Sequence, residues 1–228
     1  PMDYRKPVTF GENWSPSRYK VLPYFAVEKS LLTQPGIDRI LDLGCANGWN
    51  MSRFAQYGRA SIGLDMVPER VHLALSHGPA LLASGLEIPL ADATFDVVYV
   101  QHVLHHIGDV KKALAEARRV LKPGGYLFLI ETIEDNPLIR WGRRLYPSWM
   151  GDEINAPFTF QSLQSTVSEA QFHIMVASQY SVLFWLWETL PDQIPFFERL
   201  TPLAVVLEQQ LQRYFRRQSA HCFLVARK

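Results

Sequence analysis

Residues Ile40-Leu41-Asp42-Leu43-Gly44-Cys45-Ala46-Asn47-Gly48-Trp49-Asn50 decide the fold. A short apolar run ends in an acidic residue and passes into a Gly-x-x-x-Gly turn. The residues that follow, from Asn47 through Met51 and Phe54, can open a helix. That order is the first strand, turn and helix of a doubly wound α/β domain, in which a nucleotide-like ligand lies over the turn. Spacing narrows the ligand. A dinucleotide fingerprint starting at Gly44 requires glycines at positions 46 and 49, where Ala46 and Trp49 stand, so that pattern fails.

Working outward, Ala60-Ser61-Ile62-Gly63-Leu64-Asp65 reads as a second short strand ending in an acid. Asp65 lies 21 positions after Gly44, near the spacing of a carboxylate that accepts ribose hydroxyls. Further landmarks are Glu87-Ile88-Pro89-Leu90-Ala91-Asp92-Ala93-Thr94-Phe95-Asp96-Val97-Val98, then Val103-Leu104-His105-His106-Ile107, then Leu121-Lys122-Pro123-Gly124-Gly125-Tyr126-Leu127. In the last of these, Pro ends a helix and Gly supplies a left-handed turn before the next strand.

Taken in order, these segments resemble the class I S-adenosylmethionine (SAM) methyltransferases over residues 37–131; the chain beyond matches less clearly. The resemblance implies a doubly wound α/β fold with a seven-stranded sheet whose last strand runs antiparallel beside the fifth. It implies SAM as cofactor, with the turn of Asp42, Gly44, Cys45 and Gly48 around its amino-acid end, Asp65 on the ribose and Met66 on the adenine face. Related chains often carry an Asp that accepts from the adenine amino group. Counting back from Pro89, that position here is Ser84, followed by Gly85; a serine oxygen can accept the same bond without the charge. Gln101 falls where the family uses a backbone carbonyl to hold the cofactor's amino group.

Composition bounds the rest. With 228 residues, 48% of them hydrophobic, the chain can bury one full core. A formal charge of +1, from 23 basic and 22 acidic residues, gives no drive toward nucleic acid. Neither an N-terminal apolar signal region nor a membrane-spanning apolar run is seen, so a cytoplasmic protein is expected. Pro1-Met2 reads as a cleavage scar before a start methionine. The two cysteines, Cys45 and Cys222, lack metal-ligand spacing and are expected reduced and buried.

Along the chain, residues 1–36 are expected to form an arm and a helix covering the cofactor site, with Pro23 able to break that helix. Strands and helices then alternate over 37–43, 48–57, 60–65, 68–76, 80–83, 95–101, 109–121 and 125–131, as in a parallel sheet with helices on both faces. Residues 37–228 form the cofactor-binding domain. A helical and aromatic cap is expected at roughly 135–160, which reads as irregular, and at 183–217. A helix over 161–171, strand over 172–182, helix over 202–217 and strand over 220–228 complete the chain.

His102, His105 and His106 follow the fourth strand, at the sheet edge where ligands sit. As a metal site they lack a cysteine or carboxylate before Asp109 to complete a ligand set, so no metal is expected. One of them can be purely structural. Alternatively His105 or His102 is a general base, because a hydroxyl acceptor must lose a proton and imidazole has a suitable pKa. Tyr19, with Trp14 and Arg18, either folds over the site or belongs to a surface arm. The aromatic runs Phe184-Trp185-Leu186-Trp187 and Ile194-Pro195-Phe196-Phe197 suit a core, a cap over an apolar acceptor, a dimer face or a membrane-surface patch. Three functions therefore stay open. They are methyl transfer to a small apolar or aromatic acceptor, methylation of a lipid-linked or glycan intermediate at a membrane surface, and SAM binding without turnover, in a monomer or homodimer.

Overall fold

The computed structural model describes residues 22–145, 157–183 and 197–228. Seven strands form one sheet: β1 (Arg39–Leu43), β2 (Ala60–Asp65), β3 (Ala80–Leu82), β4 (Phe95–Gln101), β5 (Leu121–Thr132), β6 (His173–Tyr180) and β7 (His221–Arg227). Their order is β3-β2-β1-β4-β5-β7-β6. Strands β1 to β5 pair in parallel, and β7 is antiparallel to both β5 and β6. The expected doubly wound sheet with an antiparallel last strand is the one observed. Its order reverses between β1 and β4, which places a ligand crevice at the carboxyl ends of those two strands.

The helices are α1 (Pro23–Leu32), α2 (Trp49–Gln56), α3 (Pro68–Ala74), α4 (Val110–Val120), α5 (Pro137–Leu145), α6 (Phe160–Glu169) and α7 (Phe197–Phe215). Successive strand side chains point to opposite faces, so a strand covered on both sides must be apolar throughout. In β4, Val97 and Tyr99 join Ile40, Phe128 and Phe223 beneath α1 and α2, which contribute Tyr24, Leu31, Leu32 and Phe54. Val98 and Val100 join Leu41, Leu43, Leu129 and Leu224 on the other face, against Ala113, Leu114 and Ala117 of α4 and Leu163 and Val167 of α6. Asp109 caps α4 by accepting from the Lys112 amide, and Thr159 and Ser162 form a capping box at α6.

Four expectations need correcting. Pro23 opens α1 at its first turn, where the missing N–H costs nothing, and does not break it. The stretch expected to be irregular after Asp135 holds α5: Asn136 Oδ1 accepts from the Leu138 and Ile139 amides, and Pro137 follows at the helix start. Helix α7 begins at Phe197 and carries Pro202 inside it. The Lys-Pro-Gly-Gly turn is an excursion within β5: Leu121 already pairs with Phe95, and pairing resumes at Tyr126 opposite Val97, with Gly124 at φ +78°. Tyr19, Trp14 and Arg18, and the aromatic runs at 184–187 and 194–196, lie outside the described residues.

Candidate active site at the carboxyl edge of the sheet

The turn after β1 is left-handed at alternate residues: Gly44 (φ +76°), Ala46 (φ +46°) and Gly48 (φ +83°). The Gly44 and Cys45 amides both donate to the Leu64 carbonyl, at 2.7 and 3.0 Å. A Cβ on Gly44 would lie 2.3 Å from Val103 Cγ2, and one on Gly48 would lie 2.9 Å from Ala74 Cα. Packing alone therefore requires both glycines, before any ligand approaches. Ala46 holds its φ without that freedom because its amide donates to Asp65 Oδ2 at 3.0 Å. Asp65 Oδ1 accepts from the Val67 amide at 3.0 Å. One carboxylate thus ties the turn to the start of α3. Each of its oxygens keeps a further lone pair, enough for two ribose hydroxyls.

Met66, next in the chain, is 72% exposed, which sets it outside the core. Ser84 Oγ accepts from the Leu86 amide at 3.1 Å, and Gly85 packs against Leu43, with a Cβ there only 3.2 Å from Leu43 Cδ1. No helix covers residues 83–94; α4 holds the loop instead. Arg119 donates to the carbonyls of Leu90 (2.9 Å) and Ile88 (2.8 Å) and to Asp92 (2.6 Å), while Glu116 pairs with Arg119 and accepts from the Ile88 amide at 2.8 Å.

Behind the turn, Asp42 is completely buried. Asn50 donates to its Oδ1 at 3.4 Å, Arg53 to Asn50 at 3.1 Å and to Glu28 of α1 at 2.6 Å, and the Tyr99 hydroxyl to Glu28 at 2.7 Å. Burial pushes the Asp42 carboxyl up to about 7, against the smaller opposing effects of Asn50 and Arg53. Asp42 Oδ2 and Gln101 Oε1 are buried acceptors that no donor reaches among the described residues. They share a sheet face, since Asp42 pairs with Tyr99 and Gln101 lies two positions along β4. Unpaired buried acceptors are costly, and a ligand that brings N–H donors relieves the cost. A SAM ammonium group is such a donor, so these residues fit the amino-acid end of that cofactor.

The segment that carries the histidines meets the turn through Val103, which packs on Gly44. A short 3₁₀ turn spans Leu104–His106, so His102 and His106 are not on a common α-helix. His102 itself is left-handed at φ +54°, and its ring Nδ1 lies 3.2 Å from Thr132 Oγ1 and 5.4 Å, centroid to centroid, from the ring of His221. Burial, then the neighbouring imidazoles of His221, His105 and His106, holds its pKa well below the ordinary value. His105 is buried, with Nδ1 2.6 Å from Glu131 Oε2. Among the described residues no group of three His, Cys, Asp or Glu is arranged to hold a metal ion. No helix there is long and apolar enough to cross a membrane. Cys45 and Cys222 are both buried free thiols.

Residues 41–129 match the model of a methyltransferase domain. A SAM-dependent methyltransferase from Archaeoglobus fulgidus superposes with a TM-score of 0.65 at 16% identity, covering 92% of this chain and 94% of that one. The chain carries the class I SAM-dependent methyltransferase fold. An uncharacterized methyltransferase of Mycobacterium tuberculosis is 37% identical over 110 residues, 47% of this chain and 44% of the relative. A demethylmenaquinone methyltransferase of Corynebacterium urealyticum is 36% identical over 99 residues, 42% of each chain. The chain thus spans less than half the length of the curated relatives it matches. Within this methyltransferase fold, the residues that sequence reasoning missed are Glu131, Glu28, Asn50, Arg53, Glu116 and Arg119. Glu131 had a signal: a carboxylate closing the apolar run Leu127-Phe128-Leu129-Ile130 at the carboxyl end of a strand.

Proposed function

We propose that the protein transfers the methyl group of SAM to a small, mostly apolar acceptor bearing a hydroxyl, with His105 as the base and His102 beside it. What carries this reading is the juxtaposition of two features at one sheet edge: the Asp42–Gly48 turn with the orphan acceptors Asp42 Oδ2 and Gln101 Oε1, and the histidine-bearing segment 102–106, whose Val103 packs on Gly44. Bound SAM supplies a methyl carbon activated by a positively charged sulfur. Asp65 would hold its ribose, Asp42 and Gln101 its ammonium end, Met66, Ser84 and Gly85 its adenine, and Cys45 would pack within the turn. The acceptor oxygen would take that methyl group as the carbon–sulfur bond breaks, and the bonding electron pair would stay on sulfur. The hydroxyl proton passes to the imidazole, which later returns it to water. The neutral His102 imidazole beside the base suits a hydroxyl, and the similarity to a demethylmenaquinone methyltransferase suits an apolar ring system.

Calorimetry with SAM, its demethylated product and NAD tests the cofactor. Micromolar SAM binding without NAD binding is expected; NAD binding alone would overturn the reading. A panel of phenols, hydroquinones and aliphatic alcohols, followed by mass spectrometry for a gain of one methyl group, tests the acceptor. A second reading is methylation of a lipid-linked acceptor at a membrane surface. It is favoured by exposed Leu203, Leu207 and Tyr214 on α7, near Arg213 and Arg216. Co-sedimentation with anionic vesicles separates the two.

A further inference from the structure

Glu131, one residue from the end of β5, is completely buried. Its Oε1 accepts from the backbone amides of Val103 (2.9 Å) and Leu104 (2.6 Å), and its Oε2 lies 2.6 Å from His105 Nδ1. Among the described residues no Lys or Arg reaches it, and its partner across the sheet on β7 is Cys222, a weak donor. An ionised Glu131 can only accept, which would put the proton between the two groups on the imidazole. The second oxygen is committed to the two amides of the turn that carries His105. The same side chain therefore fixes both where the ring stands and which of its nitrogens carries hydrogen.

We propose that Glu131 is a positioning residue that holds His105 as its Nδ1–H tautomer, leaving the Nε2 lone pair as the proton acceptor of the methyl-transfer step. This rests on the assignment of His105 as the base. When Nε2 takes the hydroxyl proton, the imidazolium stands against the Glu131 carboxylate, which offsets the new charge without taking the proton itself. Glu131 sits 26 residues from His105 in sequence, and its reach to Val103 and Leu104 couples the ring to the segment that packs on Gly44.

Glu131→Gln isolates this role from the fold. The amide oxygen can still accept from Val103 and Leu104, while the amide nitrogen now faces Nδ1 and donates to it. Such a donor forces His105 into the Nε2–H tautomer, which can no longer accept a proton at Nε2. The measurement is long-range ¹⁵N–¹H correlation of the histidine rings in the free protein at pH 7.5, with His105 assigned by loss of its signals in His105→Gln. The wild type should show a protonated Nδ1 and an unprotonated Nε2; Glu131→Gln should show the reverse. Its SAM affinity by calorimetry should stay within about threefold. A wild-type His105 protonated at Nε2 overturns the proposal without any variant, and so does an unchanged tautomer in folded Glu131→Gln. Turnover of an acceptor from the hydroxyl panel should fall roughly 10²–10⁴-fold in Glu131→Gln, the cost of losing a general base. A reversed tautomer with undiminished turnover overturns the base assignment of the previous subsection and leaves tautomer control by Glu131 standing.

Discussion

At the residue scale, two titratable groups, buried Asp42 and half-buried His102, pull stability in opposite directions with pH. Asp42 ionises near 3.8 in the unfolded chain and near 7 in the native state. Between those values the native protein holds a proton that the unfolded chain has lost, so Asp42 lowers stability as pH rises. The native His102 imidazole is neutral where the unfolded ring, with its value of 6.5, is charged. That group lowers stability as pH falls below 6.5. Relative to wild type, Asp42→Asn should therefore gain more stability at pH 7.5 than at pH 5, and His102→Asn the reverse, both by urea unfolding without cofactor. Equal offsets at the two pH values would mean that neither group is perturbed. Asp65 is the third residue to probe. Asp65→Ala should weaken SAM by roughly 2–4 kcal/mol, through two lost charged hydrogen bonds. Because Asp65 also accepts from Ala46, amide exchange at Ala46 should accelerate in the same variant. Unchanged SAM affinity in a folded protein would remove Asp65 from the site. The position of Asp65 at the carboxyl end of β2 was legible because strand, acid and spacing are all local. Glu131 was not, because its partners come from a turn 26 to 28 residues away that only the sheet brings close.

At the scale of elements, the strands and helices of residues 39–132 were legible nearly to their ends, because a doubly covered sheet demands apolar strands and the helices between them carry an apolar stripe. The exceptions have physical causes. Apolar spacing says nothing about a helix whose start is fixed by Asn136, inside the stretch that reads as irregular. Nor does it reveal that the 83–94 connection is tied down from outside by Glu116 and Arg119, one turn apart on α4. That clamp is testable. With no helix of its own, the loop bearing Ser84 depends on the two carbonyls and the amide that α4 holds. Arg119→Met keeps the aliphatic stem and removes every donor. It should raise hydrogen exchange at residues 86–92 and weaken SAM about tenfold, roughly 1.4 kcal/mol, the worth of one or two ordinary hydrogen bonds to an adenine platform. If exchange there is unaltered, the loop is self-supporting and Ser84 owes its position to the Leu86 contact alone.

At the scale of the whole molecule, the sheet divides the work. The cofactor turn belongs to β1, β2 and β4, whereas α5 and α7 attach at the far side, through polar anchors near the ends of β6 and β7. Asn136 Nδ2 donates to the carbonyls of Val182 (2.9 Å) and Gln218 (2.8 Å). Glu208 of α7, itself buried, accepts from the amides of Val182 (2.6 Å) and Leu183 (3.0 Å). These anchors hold α5 and α7 to the ends of β6 and β7; under the proposed function, acceptor choice would fall to such added elements rather than to the core that serves the cofactor. Glu208→Ala removes the acceptor of two backbone amides, a loss of about 1–3 kcal/mol for each group left buried. Thermal unfolding should therefore shift downward by several degrees in a protein of this size. SAM affinity should stay within threefold, because the contacts of Glu208 with Val182, Leu183 and Gln212 lie at the far strands of the sheet from the turn, while KM for the acceptor rises and kcat changes less. Glu208→Gln, which keeps one carbonyl acceptor, should recover part of both effects. A parallel loss of SAM affinity in Glu208→Ala would mean that α7 supports the cofactor turn as well, and that the two halves of the sheet are not independent.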